Sequence, residues 1–272
     1  MSDRAKVGIV LVSHSAALAE GTAELAGQIG GGTVIIATAG GTDDGRIGTS
    51  IAKVERALRL ADGGVGVVIL PDVRGLYHFY EELALRFAER GYAAVAIDYF
   101  GRTAGVDKRD DDFDHMDHVR QTTPAGVQAD VGAAVSYLRS PAGGSLASVF
   151  TVGFCFGGRN SWLACAGGHG LAGAVGFYGM PGERNGDPGP IAVVDRMEAP
   201  ILGLQAGEDA NITADHNEAF DAALSAAGVE HEITTFAGAP HSFFDRHHAE
   251  FQQASDDAWQ RTLRFVDSHS AA

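Results

Sequence analysis

Positive charge is in short supply in this chain, which carries 20 Lys and Arg against 35 Asp and Glu for a formal net charge of −15 at pH 7. Nucleic-acid affinity rests mostly on Lys and Arg neutralising phosphates. That argues against a polyanion partner and for a small molecule. Cysteine is scarcer still, with Cys155 and Cys165 the only two in 272 residues. If a helix starts just after Cys155, the pair lies roughly 15 Å apart at 1.5 Å per residue, too far for a disulfide. Both are expected as free thiols. Long apolar runs are missing as well. The opening MSDRAKVGIVLVSHS holds six apolar residues in a row, shorter than a signal-peptide core and far short of a membrane span. A cytoplasmic protein with no membrane partner is expected.

What is present is a 45% hydrophobic composition, enough for a sizeable core, at a length within reach of one α/β domain. Short runs rich in β-branched residues fall at 7–13, 33–39, 66–72, 93–99, 148–154, 171–179, 200–207 and 231–238. Each is continuously apolar rather than alternating, as strands covered on both faces require. Amphipathic stretches at 79–91, 126–140, 214–228 and 251–269 lie between or after them. The pattern predicts a three-layer αβα architecture around a mainly parallel, doubly wound sheet. Two polar stretches, 102–124 and 180–190, break the rhythm after strand ends. They read as substrate loops or as ordinary solvated ones.

The stretch SVFTVGFCFGGRN, 148–160, runs from a buried strand through a glycine-flanked cysteine into a helix. In a GxCxG turn the nucleophile sits on a strained strand-to-helix elbow, and side chains in place of the glycines would collide with the neighbouring strand and helix. The turn sets the Cys155 sulfur at the positive end of a helix, which favours thiolate. It also aims the Phe156 N–H at a developing oxyanion. A hydrolase of this kind needs an acid and then a histidine, each on a loop after a later strand. Glu208 and Asp209 follow the run at 200–207, with Asp209 preferred, and His241 follows the run at 231–238.

At these residues the chain resembles the dienelactone hydrolase family, the cysteine branch of the α/β-hydrolases. The resemblance is carried from about residue 66 onward by VVILPDVRGLYHFYEELALRFAERGYAAVAIDYFGR, GFCFGGRN, GAVGFYG, QAGEDANI and GAPHSFFDR. It implies Cys155 as nucleophile, His241 as general base and Asp209 as its orienting acid, with no metal or organic cofactor. It also implies a thiol-contacting carboxylate at Asp72, one methylene shorter than the family's usual Glu, and a second oxyanion N–H at Val73. Arginines that bind the substrate carboxylate in the best-known members have no clean match, and Arg74, Arg102, Arg159 and Arg246 are candidates on position.

Residues 1–65 stand outside that resemblance. Their VGIVLVSHSAALAEGTAELAGQ and ATAGGTDDGRIGTSIAKVERALRLA resemble the start of the phosphocarrier subunit of the phosphoenolpyruvate-dependent dihydroxyacetone kinase, of mannose-class IIA fold. That family phosphorylates the histidine of its VSHS motif, here His14, which lies past a strand and before a helix whose amides suit a phosphate. The chain thus resembles a chimera, natural or engineered: a flavodoxin-like βαβα segment, 1–65, standing in place of the first strands of a hydrolase core, 66–272, in one continuous domain. The expected docking place is the outer sheet edge beside residues 93–99. The expected function is cleavage of a small-molecule lactone or ester through a Cys-His-Asp triad and a thioester. The alternatives are a phosphohistidine carrier or interaction module using His14, and a catalytically idle fold chimera.

Overall fold

The computed structural model describes residues 9–30, 36–61, 64–106, 108–184 and 186–270. Residues 7–8 and 33–35, assigned by the sequence to the first two strands, lie outside them. The first elements are β1 (Ile9–Ser13), α1 (Ala16–Gly30), β2 (Ile36–Gly40) and α2 (Ile51–Ala61). β1 and β2 run parallel, with Ile9 opposite Ile36 and Ser13 opposite Gly40.

The main sheet is built from β3 (Val65–Leu70), β4 (Ala93–Ala96), β5 (Ser148–Phe154), β6 (Gly173–Phe177), β7 (Ile201–Ala206) and β8 (His231–Phe236). Their order is β4-β3-β5-β6-β7-β8, and every ladder is parallel. The expected docking of the first two strands beside β4 is not what forms: β1 and β2 make a two-stranded sheet of their own. β4 offers little to pair with. It ends after four residues, and short edge strands are a common means of keeping a sheet edge from accepting another strand.

The strands at the centre explain their own composition. Every residue of β3, β5, β6 and β7 is buried, because helices cover both faces. On one face, α3 (His78–Glu89) and α9 (Gln252–Ser268) bring Tyr80, Leu83, Phe87, Trp259 and Val266 against Phe150, Phe154 and Phe177. On the other, α6 (Pro124–Arg139), α7 (Phe156–Ala164) and α8 (Ala214–Ala227) contribute Val127, Val131, Leu138, Trp162 and Phe220. Trp162 lies flat enough on the sheet that a Cβ at Gly176 would stand 2.3 Å from its ring. A Cβ essentially never comes so close to another heavy atom, so glycine is required there.

The two polar stretches are more ordered than loops. The first contains α4 (Gly101–Ala104) and α5 (His115–Gln121). Its Arg109 is buried and donates to Asp98 at 2.8 Å and to the Gly105 carbonyl at 2.6 Å. The second pairs Arg184 with Asp187 through the backbone and enters a 3₁₀ turn, Pro190–Arg196.

Candidate active site

Close packing of backbone against backbone builds the cysteine turn. A Cβ on Gly153 would lie 2.0 Å from the Gly157 carbonyl oxygen, and one on Gly157 would lie 2.0 Å from that of Leu70. No side chain fits either gap. Cys155 pays for this proximity with φ 53° and ψ −110°, a conformation that costs a non-glycine residue of order 1–3 kcal/mol. Its N–H donates to the Phe177 carbonyl at 2.9 Å, which fixes the turn to the end of β6. The sulfur is half-exposed at the N-terminus of α7.

Two loops at the same end of the sheet carry the other members. Asp209 follows β7 and is buried, while Glu208 beside it is exposed. The Glu208 N–H donates to the Ala239 carbonyl at 2.9 Å and so ties the β7 loop to the β8 loop. His241 Nδ1 stands 2.5 Å from Asp209 Oδ2. Asp209 Oδ1 accepts from the N–H groups of Asn211, at 2.9 Å, and Ile212, at 3.1 Å. Burial works against the charged imidazole. The Asp209 carboxylate and the Cys155 sulfur outweigh it and raise the His241 pKa to about 10. Burial likewise opposes the Asp209 charge, and the His241 ring with the two amides outweighs it, so the carboxyl is held below its ordinary value. Cys165 is fully buried and its thiol is pushed up to about 12, chiefly by burial.

Cys155 and His241 line one cavity of about 120 Å³ together with Phe156, Arg159, Tyr178, Met180, Arg184, Asn211 and Ile212. As the first residue of α7, Phe156 presents its amide with no helical acceptor. Val73 sits on the turn after β3 that the Gly75 N–H closes on the Asp72 carbonyl at 3.1 Å, outside the cavity lining.

Asp72 follows β3 and is buried. Its carboxylate accepts from Arg74 Nε at 2.9 and 3.0 Å and from Arg246 Nη2 at 3.3 Å, and it is not among the residues lining the Cys155 cavity. Arg74 also bonds Asp245, whose other oxygen accepts from Tyr178 Oη at 3.1 Å. The Tyr178 ring lies 4.9 Å from that of His241, at a backbone φ of 36°. Asp245 and Tyr178 escaped the sequence reading, although Asp245 stands inside the HSFFDR motif.

The four candidate arginines separate. Arg74 and Arg246 are engaged on Asp72, and Arg102 forks Asp130 on the surface at 2.9 and 2.5 Å. Arg159 alone lines the cavity. Arg184 lines it too and was missed, though it stands in the polar stretch at 180–190. His14 lies exposed just past β1, its carbonyl accepting from the Gly48 N–H at 2.9 Å. Among the described residues no group of three or more His, Cys, Asp or Glu could hold a metal, and no helix is long and apolar enough to cross a membrane.

A parallel sheet covered by helices on both faces, with a cysteine elbow after a central strand and an acid and a histidine after later ones, defines an α/β-hydrolase. Residues 56–270 match the sequence profile of the dienelactone hydrolase family, and the chain belongs to that family. It is therefore a hydrolase of the ester- and lactone-cleaving class. A carboxymethylenebutenolidase-type protein of Escherichia coli strain K12 is 31% identical over 215 residues, covering 77% of this chain and 79% of its own. Another from Yersinia pestis is 28% identical over 215 residues, covering 76% and 79%. The crystal structure of a dienelactone-hydrolase-type protein from Klebsiella pneumoniae superposes with a TM-score of 0.68 at 28% identity, covering 76% of this chain and 88% of that one. Residues 8–97 match a second profile, the PTS system fructose IIA component. The two matches overlap at 56–97, so neither ends at residue 65.

Proposed function

We propose that this hydrolase cleaves its ester or lactone through Cys155, His241 and Asp209 by way of a thioester. The observation that supports it most is the convergence of a strained cysteine and an Asp209-bound His241 on one cavity. An imidazole with a pKa near 10 is protonated at neutral pH and sets a positive charge beside the sulfur, which favours attack as thiolate. The thiolate attacks the carbonyl carbon, and the Phe156 amide holds the oxyanion. Collapse breaks the C–O bond, and the departing alkoxide or enolate takes the His241 proton. The neutral ring then takes a proton from water as its oxygen attacks the thioester. Release of the acid returns the thiolate and the imidazolium, leaving no proton unaccounted for. Asp209 keeps the ring oriented throughout and stabilises its charge.

The test offers a chromogenic ester and a dienelactone to the protein before and after thiol alkylation, and to Cys155→Ala. Turnover abolished by both treatments is expected. Turnover that survives in Cys155→Ala would sink the assignment. A second reading is favoured by the profile match over 8–97: His14 accepts a phosphoryl group. It requires acid-labile phosphate on His14 from a phosphorylated carrier protein, with His241 dispensable.

A further inference from the structure

We propose that a second pocket, separate from the Cys155 cavity, binds a neutral and mainly apolar small molecule of about one ring in size. The pocket lies between the start of α6, one face of α7 and the 3₁₀ turn, and offers about 280 Å³, against about 120 Å³ around Cys155. An apolar cavity of about 150 Å³ is enough to take up benzene. The polar stretches at 102–124 and 180–190 meet here: the first supplies Thr122, Thr123 and Pro124, the second Asp187 and Pro188. Among the described residues, none of 102–124 lines the Cys155 cavity, and only Phe156 and Arg159 line both spaces. Those two side chains form the partition. Arg159 is buried, and its Nη atoms are held by the carbonyls of Met180, Gly182, Asp187 and Pro188. Phe156 begins α7 beside Cys155, so a ligand against its ring sits one residue from the elbow without entering that cavity.

The lining selects the class of ligand. Val127, Phe156, Leu163, Ala166, Pro188 and Val193 give the pocket apolar walls. Its neutral polar side chains are engaged with the protein itself. Thr122 Oγ1 donates to the His118 carbonyl at 3.0 Å, and Thr123 Oγ1 accepts from the Gly126 N–H at 3.1 Å. Gln128 Oε1 stands 2.8 Å from His169 Nε2, and Asn160 Nδ2 donates to the Phe156 carbonyl at 2.8 Å. Of the charged side chains, Arg159 is fixed on its carbonyls and has the Asp187 carboxylate near enough to favour its charge. Asp187 and Arg196 are exposed and opposite in sign. An ion entering the pocket gives up its water, while the rim presents charges of both signs and favours neither. A neutral ring gives up only apolar hydration and gains contact with the walls.

Fluorine NMR of the full chain near neutral pH tests this with para-fluorotoluene, para-fluorobenzoate and para-fluorobenzylamine, which share a ring and differ in charge. The neutral probe is expected to bind at least about tenfold more tightly than either ion, given the cost of burying an unpaired charge. It should bind equally well after iodoacetamide has carbamidomethylated Cys155, as confirmed by mass spectrometry, because the added group occupies the smaller cavity. Cys165 is fully buried and stays unlabelled. Ala166→Phe, which sets a ring into the pocket from a half-buried position, should weaken the neutral probe about tenfold or more by filling its space, with circular dichroism intact. Leu163→Trp serves if that variant fails to fold. Binding abolished by carbamidomethylation would place the probe at Cys155 and overturn the proposal. So would equal or tighter binding of either ion, no binding of para-fluorotoluene up to its solubility limit, or unchanged affinity in a folded filling variant. Should neither variant fold, the charge series and the alkylated protein still decide. No arm of the test reads turnover, so the pocket and the triad fail separately.

Discussion

The two sheets of this protein share a parallel βα construction and differ in what they bury. Around the six-stranded sheet the fully buried side chains are large: Trp162, Tyr80, Tyr178, Phe87, Phe150, Phe154, Phe177 and Phe244. The cluster at the two-stranded sheet consists of Ala37, Ala39 and Ala57, with Val10 and Val54 packed against it. Its larger apolar residues face outward, Leu18 at 64% and Leu25 at 59% exposure. Full burial of a side chain such as Phe contributes roughly 1.5–3 kcal/mol, so the difference is energetic as well as visual. Strained conformations persist only where the surroundings over-determine them. The dense sheet therefore holds Cys155 and Tyr178 at positive φ, next to the candidate site, and an alanine cluster has no comparable means of holding one.

If that contrast governs activity, substitutions at the two histidines should differ most. His241→Ala is expected to lower ester turnover about a hundredfold to ten-thousandfold, the usual worth of a general acid–base. His14→Ala should leave it near the native value. Loss of turnover in the His14 variant, with the fold intact, would mean that the first segment takes part in the chemistry and that the two regions are one functional unit.

Packing gives the next largest difference. Trp162→Ala removes a side chain that touches Gly176 and Phe220 and donates to the Leu202 carbonyl at 3.2 Å. It should cost about 3–5 kcal/mol in urea unfolding. Val54→Ala, at a half-buried position of the alanine cluster, should cost under about 1 kcal/mol. Equal losses would break the comparison.

Which parts of this were readable beforehand follows from the range of the interactions involved. The four central strands, β3, β5, β6 and β7, fall on apolar runs of the sequence, because strands covered on both faces must be apolar whatever their order. The elbow was readable because three glycines within six residues encode backbone contacts that are local. The pairing of strands was not: nothing within β1 or β4 states that β4 stops after four residues and accepts no further partner. Asp72 illustrates the same limit. Its type and place after β3 were plain, but its partners are Arg74, two residues away, and Arg246, 174 residues away, and only the folded chain brings the second within reach. Arg184 went unnoticed for a related reason: an arginine in a polar loop looks solvated until the cavity it lines exists.

The smallest expected effect is a dependence of stability on pH. His241 titrates near 10 in the folded chain and near 6.5 when unfolded. Because the folded value is the higher one, the stabilisation from its charged form is complete below about pH 6.5 and is lost as pH rises toward 10. Both tryptophans of the chain, Trp162 on α7 and Trp259 on α9, pack in the clusters that cover the six-stranded sheet, so tryptophan fluorescence reports on that region. Its melting temperature should fall between pH 6.5 and 10, and fall less in His241→Gln. Cys165, raised to about 12 by burial, adds a loss of its own above its unfolded value of about 8.5. That loss is shared by both proteins and cancels in their difference. Parallel pH curves for native protein and His241→Gln would show that the Asp209–His241–Cys155 cluster holds no charged imidazole.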